Sequence, residues 1–259
     1  AEEGKGGKVE LLKKGGLKGI EAAMLAHPSY RTTPDTGGTA IKRFKVTYQG
    51  KAAHAAAQPE KGKNALDAAI LLFEGINAWR QQLPETSRIH GIIAEGGIAP
   101  NIIPASTTCY FYLRSPQDDV LDRMIKRFKD IVKGAALMTG TRFKVEPWLA
   151  SYKSRFPNQP LNDLFWQEAK SLGLNPIRPQ RTGRGSSDFG DVSQRIPGIH
   201  VFFKITNKQV PIHSYEFAQE AGKSYARKQM LLIAQVMARI GCRFLFDVNF
   251  RKKVKNYFR

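Results

Sequence analysis

Cysteine, histidine, carboxylates and long apolar runs are all scarce in this chain, and each shortage excludes something. Cys109 and Cys242 are the only cysteines among 259 residues, too few for a disulfide framework. Their apolar surroundings fit buried thiols in a reducing compartment. The apolar runs, such as 68–73 and 198–203, fall far short of the roughly 20 residues that cross a bilayer. No charged segment, apolar core and cleavage site open the sequence, so secretion has no support and a cytoplasmic setting is expected. Acidic residues number 22 against 41 basic ones, a net charge of +19. The balance is +1 over residues 1–40, +7 over 41–153 and +11 over 154–259. Near the end, Arg251, Lys252, Lys253, Lys255 and Arg259 interleave with Phe250, Tyr257 and Phe258. That pattern suits a solvated amphipathic helix end or a tail that sits on phosphates.

What remains is enough to fold. Hydrophobic residues make up 42% of the chain and charged ones 24%, which supports a packed core and argues against disorder. Residues 41–48 alternate as a half-buried strand should. Residues 64–82 place Leu66, Ala69, Ile70, Phe73, Ile76 and Trp79 at helical spacing. Strand-like runs follow at 88–93 and 107–113. Asp118 and Asp119 then offer capping oxygens before a second helix stripe from Val120 to Val132, and 141–148 closes as a strand. The order βαββαβ predicts a ferredoxin-like α+β unit over 41–153. The flanks, 1–40 and 154–259, predict an α/β domain into which that unit is inserted. They include a helix over 161–172, a strand over 199–205 and a long helix over 221–240. Residues 32–34 and 154–160 serve as hinge segments, because an insertion needs its two boundaries close in space.

Five histidines can be weighed one by one. His27 ends an apolar run and His213 precedes a helix, and each alone reads as a structural histidine or as a ligand. His54 lies among small residues that admit a close partner. His90 and His200 sit inside strands and read as core. The adjacent carboxylates Glu2 and Glu3 are weak evidence alone.

In combination the signal sharpens. Ala-Glu-Glu-Gly-Lys-Gly-Gly-Lys at 1–8 precedes Met-Leu-Ala-His-Pro-Ser at 24–29 and Gly-Lys-Ala-Ala-His-Ala at 50–55. Gly-Gly-Ile-Ala-Pro-Asn-Ile-Ile-Pro then occupies 96–104, Ser-Ser-Asp-Phe-Gly-Asp-Val-Ser 186–193 and Ile-His-Ser-Tyr-Glu-Phe 212–217. In that order these six motifs closely resemble the amidohydrolase branch of the aminoacylase and carboxypeptidase-G-like metallopeptidases (peptidase family M20), and within it the β-alanyl-lysine dipeptidase type. The resemblance implies a zinc-peptidase-like catalytic α/β domain carrying the inserted unit as a lid and dimerisation domain. It implies Glu2 as general base, with Glu3, His27 and His213 as ligands of two divalent metal ions, zinc or manganese. It implies His54 as oxyanion stabiliser and Asn101 with Arg114 at the substrate carboxylate. Ser186 and Ser187, after Gly185, would line the substrate. No residue matches the family's first metal motif, which lies upstream of the Glu-Glu pair. The catalytic domain is therefore expected to be incomplete, with a bridging ligand, a terminal ligand and several strands supplied by an N-terminal half or another chain.

Two functional classes follow. The first is a metal-dependent amidohydrolase or dipeptidase acting on a small dipeptide or N-acyl amino acid, with homodimerisation through the lid. The second is a catalytically inactive relative that serves as a basic, RNA-binding structural subunit of a ribonucleoprotein such as a mitochondrial ribosome. That class would need no metal and would place the chain in an organellar matrix. Neither class calls for a membrane.

Overall fold

The computed structural model describes residues 4–178 and 185–258. In chain order its elements are α1 (Gly7–Lys13), β1 (Ala23–Ser29), β2 (Ala40–Gln49), α2 (Ala65–Arg80), β3 (Arg88–Glu95), β4 (Ser106–Ser115), α3 (Asp118–Thr139) and β5 (Arg142–Pro147). There follow α4 (Gln159–Ser171), α5 (Phe189–Ser193), β6 (Gly198–Lys204), α6 (Tyr215–Ala221), α7 (Ser224–Phe246) and α8 (Val248–Phe258). Contacts divide the chain into two units, Thr39–Ser154 with the N-terminal residues to Gly7, and Lys8–Gly38 with the residues from Arg155 onward.

In the first unit the strands pair antiparallel in the order β3-β4-β2-β5, with α2 and α3 on one face. This is the βαββαβ arrangement of the ferredoxin-like plan. Alternation along the strands turns Phe44, Val46 and Tyr48 of β2 and Cys109, Phe111 and Leu113 of β4 towards the helices. They meet Leu72 and Ile76 of α2 and Met124, Phe128 and Val132 of α3. Phe128 packs 5.5 Å from the Phe44 ring and 5.2 Å from that of Phe111. Gly75 lets the two helices close up, since a Cβ there would lie 2.6 Å from Ile131. Asn64 caps α2 by accepting from the Leu66 amide at 2.9 Å. The expected cap of α3 differs. Gln117 occupies the N-cap position, with Asp118 and Asp119 in the first turn. Asp118 instead accepts from the Ser154 hydroxyl at 2.6 Å, fastening the start of α3 to the chain leaving the unit.

The second unit has a short parallel sheet of β1 and β6, with Thr33 bridging to Phe202 on the far side of β6. Helices α4 and α7 pack against β6 and each other. Leu161 and Phe165 of α4 meet Ile233, Val236, Ile240 and Phe244 of α7 in one core with Ile199 and Val201. The helix expected over 221–240 is α7, which starts three residues later and runs six further, and a separate short helix, α6, precedes it up to Ala221. Among the described residues α7 alone is long and apolar enough to cross a membrane, by length and composition. The basic C-terminal segment folds as α8: Val254 is buried, and Asn158 donates to its carbonyl at 3.0 Å. Lys255 pairs with Glu21, and Arg251 donates to the Leu245 carbonyl at 2.7 Å.

The two crossings between the units are held together. Gly38 pairs with Arg155, and Ile41 with Tyr152. Asp35, fully buried, accepts from Arg155 Nε at 2.7 Å, from the Gly37 amide at 2.9 Å and from the His200 amide at 2.7 Å. Asn162 completes the clasp, its Oδ1 accepting from the Asp35 amide and its Nδ2 donating to the Asp35 carbonyl.

Candidate functional site

In the second unit β1 delivers His27 near its C-terminal end, where parallel strands present ligands. The register sets His27 opposite Phe202 and Leu25 opposite His200 on β6. The His27 ring therefore stacks on His200 at 5.7 Å and lies 6.2 Å from His213, edge-on. His213 arrives from the loop before α6, whose Ser214 caps that helix by accepting from the Phe217 amide at 3.1 Å. Its backbone has φ of 70°, the left-handed region, which costs a non-glycine residue on the order of 1–3 kcal/mol and is held only where the surroundings impose it.

The hydrogen bond made by His27 fixes its chemistry. Nδ1 lies 2.7 Å from the Pro28 carbonyl, which can only accept, so Nδ1 carries the proton and Nε2 keeps its lone pair. An imidazole held this way is a ready metal ligand, with its outer hydrogen bond setting ring orientation. His200 is buried, and its Nδ1 has no hydrogen-bond partner among the described residues. Burial and the nearby Arg155 charge push His200 down to about 2, which keeps it a neutral imidazole. Its assignment to the core describes its burial but misses its stacking on a site histidine. The register of His200 beside Leu25, invisible in one dimension, was the missing signal. Glu2 and Glu3 lie outside the described residues. Among the described residues no group of three or more histidine, cysteine or carboxylate side chains is arranged for a metal ion. The two imidazoles supply the donor type a borderline divalent metal takes and fit as a partial ligand set.

Asp188 ties the Ser-Ser-Asp-Phe segment to the chain following Glu3. Its carboxylate accepts from the Lys8 amide at 2.9 Å and the Lys8 ammonium at 2.6 Å, at the first turn of α1. Ser187 is buried and accepts from the Phe189 amide at 3.3 Å, opening α5, while Ser186 is half-buried. Reading by motif singled out the serines; the aspartate between serine and phenylalanine is the residue that anchors the segment.

In the first unit His54 and Asn101 stand on neighbouring loops. His54 bridges to Ile102, and the Ala55 amide donates to the Asn101 carbonyl at 2.9 Å. His54 Nδ1 accepts from the Ala56 and Ala57 amides at 3.3 and 3.1 Å, which places the ring proton on Nε2. That exposed Nε2–H is a donor, as a stabiliser of developing negative charge must be. Arg114 lies on β4, its guanidinium 5.9 Å from the Tyr112 ring and its pKa lowered by burial and by Arg43. His90, expected in the core, is exposed: its side chain points to the sheet face away from α2 and α3, opposite Tyr112.

Residues 37–138 match the peptidase dimerisation domain of the M20 peptidases. The whole chain aligns with the mouse Xaa-Arg dipeptidase at 34% identity, covering 61% of that protein, and with the human one at 32%, covering 60%. It is also 26% identical, over 92% of its length, to a p-aminobenzoyl-glutamate hydrolase polypeptide of Escherichia coli, covering 61% of that protein. The chain is thus similar throughout to peptidases of the M20 family and carries the dimerisation domain of that family over residues 37–138. The aminobenzoyl-glutamate utilization protein of Klebsiella pneumoniae shares the fold, with a TM-score of 0.70 at 20% identity over 96% of this chain and 61% of that one. The chain thus spans about three-fifths of the length of these M20 relatives. Peptidases of this family generally use divalent metals.

Proposed function

We propose that this chain forms part of a metal-dependent amidohydrolase that cleaves a small dipeptide or an N-acyl amino acid. The observation carrying this reading is the approach of His27 and His213, with His27 held in the tautomer that leaves Nε2 open. Glu3, His27 and His213 would hold zinc or manganese as a partial ligand set. A bound divalent metal supplies an acidified water and polarises the scissile carbonyl. The residues of this chain do the rest. Glu2 takes the water's proton and returns it to the leaving amine. His54 donates from Nε2 to the oxygen that gains charge as the carbonyl becomes tetrahedral. Asn101 and Arg114 grip the substrate carboxylate, and Ser186 and Ser187 line its path. The unit spanning residues 41–153 acts as lid and as the contact between two copies, in keeping with its match to a peptidase dimerisation domain.

Elemental analysis of the native protein, alongside hydrolysis of β-alanyl-lysine and of N-acyl amino acids, tests the reading. Bound zinc or manganese and turnover are expected. Glu2→Gln should abolish turnover with metal retained, whereas His27→Ala should lose metal as well. A native protein with neither metal nor hydrolysis would overturn the proposal.

A further inference from the structure

Strand β6 places a second imidazole against His27. Every second side chain of a strand leaves on the same face, so His200 and Phe202 of β6 project beside Leu25 and His27 of β1. The His200 ring lies 5.7 Å from that of His27 with 25° between their planes, an offset stack. Phe202 tilts against both, 5.0 Å from His200 and 5.5 Å from His27, and Phe189 meets His200 edge-on at 5.8 Å. At 2% exposure, His200 has no room to swing out. Its backbone is pinned as well. The His200 amide donates to Asp35 Oδ2 at 2.7 Å, and Asp35 is itself gripped by Arg155 Nε at 2.7 Å. His200 Nδ1 is buried with no hydrogen-bond partner among the described residues, a cost that a phenylalanine of similar shape would avoid. Nothing polar is gained through that nitrogen, so the ring contributes its shape.

We propose that His200 is a positioning residue for His27, backing its ring so that Nδ1 keeps its bond to the Pro28 carbonyl and Nε2 keeps its open lone pair. The inference rests on the reading of His27 as a metal ligand. The bond from Nδ1 to Pro28, at 2.7 Å, fixes one edge of the His27 ring and leaves a hinge about which it can tilt. His27 is only half-buried, so solvent does not stop that motion. The flat face of His200 does. An imidazole binds a metal best when its surroundings set both its orientation and its tautomer, and here two neighbours share that task. His200 works through His27 and not on the metal. Among the described residues no group of three histidine, cysteine or carboxylate side chains is arranged for an ion. The hydrolytic steps assigned to Glu2, His54 and the metal ligands leave His200 no part of its own.

Imidazole nitrogen–proton correlation spectra of the metal-free protein test the proposal without recourse to activity. The unaltered protein should show His27 as a single tautomer protonated at Nδ1, with cross-relaxation between the ring protons of His27 and His200. Absence of either overturns the proposal outright. Zinc affinity, measured by competition with a chromogenic chelator, supplies the second readout. His200→Phe keeps a flat ring and should keep both the single tautomer and the parental affinity. His200→Leu keeps apolar bulk without the plane. It should mix the two tautomers of His27 and weaken zinc binding by about ten-fold, the lower end for groups that orient a ligating imidazole. His200→Val serves the same comparison if the leucine protein does not fold. A folded leucine or valine variant with one His27 tautomer and unchanged zinc affinity overturns the proposal. So does a phenylalanine variant that behaves like the leucine one, which would move the role from the ring face to the nitrogen. A parent that binds no zinc, yet shows the stack and loses its single tautomer in the leucine variant, upholds the positioning and overturns the hydrolytic reading instead.

Discussion

His27 and His54 hold opposite tautomers because their Nδ1 atoms meet opposite backbone groups, a carbonyl in one case and two amides in the other. A ligand needs a lone pair and an oxyanion stabiliser needs a proton, so the local turn settles which chemistry each ring can do. His213 contributes differently, through a strained backbone. His213→Asn places a residue that tolerates left-handed φ at that point. Unfolding in urea should show stability unchanged or raised by up to ~1 kcal/mol, while metal retention falls. A loss of stability would mean that the ring, not the backbone, holds the loop. The two cysteines give a simpler contrast. Cys109 lies in the core of the inserted unit, where burial pushes its thiol up to about 12, and Cys242 is exposed on α7. Mass spectrometry after alkylation at pH 8 should find Cys242 modified at once and Cys109 only after denaturation. The reading of both thiols as buried thus fails for Cys242. Its apolar neighbours in sequence describe a helix with one buried face and one bare one, and a lone residue does not reveal which face it occupies.

At the scale of elements, caps and clasps decide boundaries that periodicity leaves vague. The stripe of α2 and the alternation of β2 were legible because packing in each has a single period. The short helix α6 was not, since seven residues are too few to show a period of their own. Glu220, at the end of α6, is nearly buried and accepts from Lys223 at 2.6 Å and from Thr206 at 3.0 Å. The Lys223 hydrogen bond, ahead of those from Thr206 and Lys208, holds its carboxyl down to about 2, below the usual 4.5. A depressed carboxyl stabilises the fold above its unfolded value, and that contribution fades as pH falls from about 4.5 towards 2. Thermal melts should therefore place Glu220→Gln below the unaltered protein at neutral pH, with the gap closing near pH 2. The Asp35–Arg155 pair is a stronger case, because both partners are almost wholly buried. Asp35→Ala leaves the buried guanidinium without its carboxylate and should cost about 3–5 kcal/mol in denaturant unfolding, where a surface pair would cost almost nothing.

For the molecule as a whole, two separate cores imply two separable stabilities. Phe128→Ala removes a fully buried ring between Phe44 and Phe111 and should cost about 3–5 kcal/mol. Hydrogen exchange should show the lost protection concentrated within residues 39–154, leaving α4 and α7 protected. Loss of protection throughout would mean that the chain unfolds as one. The antiparallel βαββαβ unit was legible in the sequence because each of its strands and helices shows its own period in a recognisable order, although β2 pairs with β4 and β5 across intervening helices. The approach of His27 to His213 was expected only through family resemblance, and that of His200 not at all, since a parallel pair joins β1 to β6 across more than 160 residues.

The clasp at the crossing carries a consequence for how such a chain is assembled and edited. Gly38 and Arg155 already stand side by side, so the outer polypeptide is nearly continuous across the gap. A single in-frame deletion, with a short spliced peptide in its place, can excise the intervening module without tearing the framework it leaves behind. The same geometry makes that position a natural port for grafting a foreign domain.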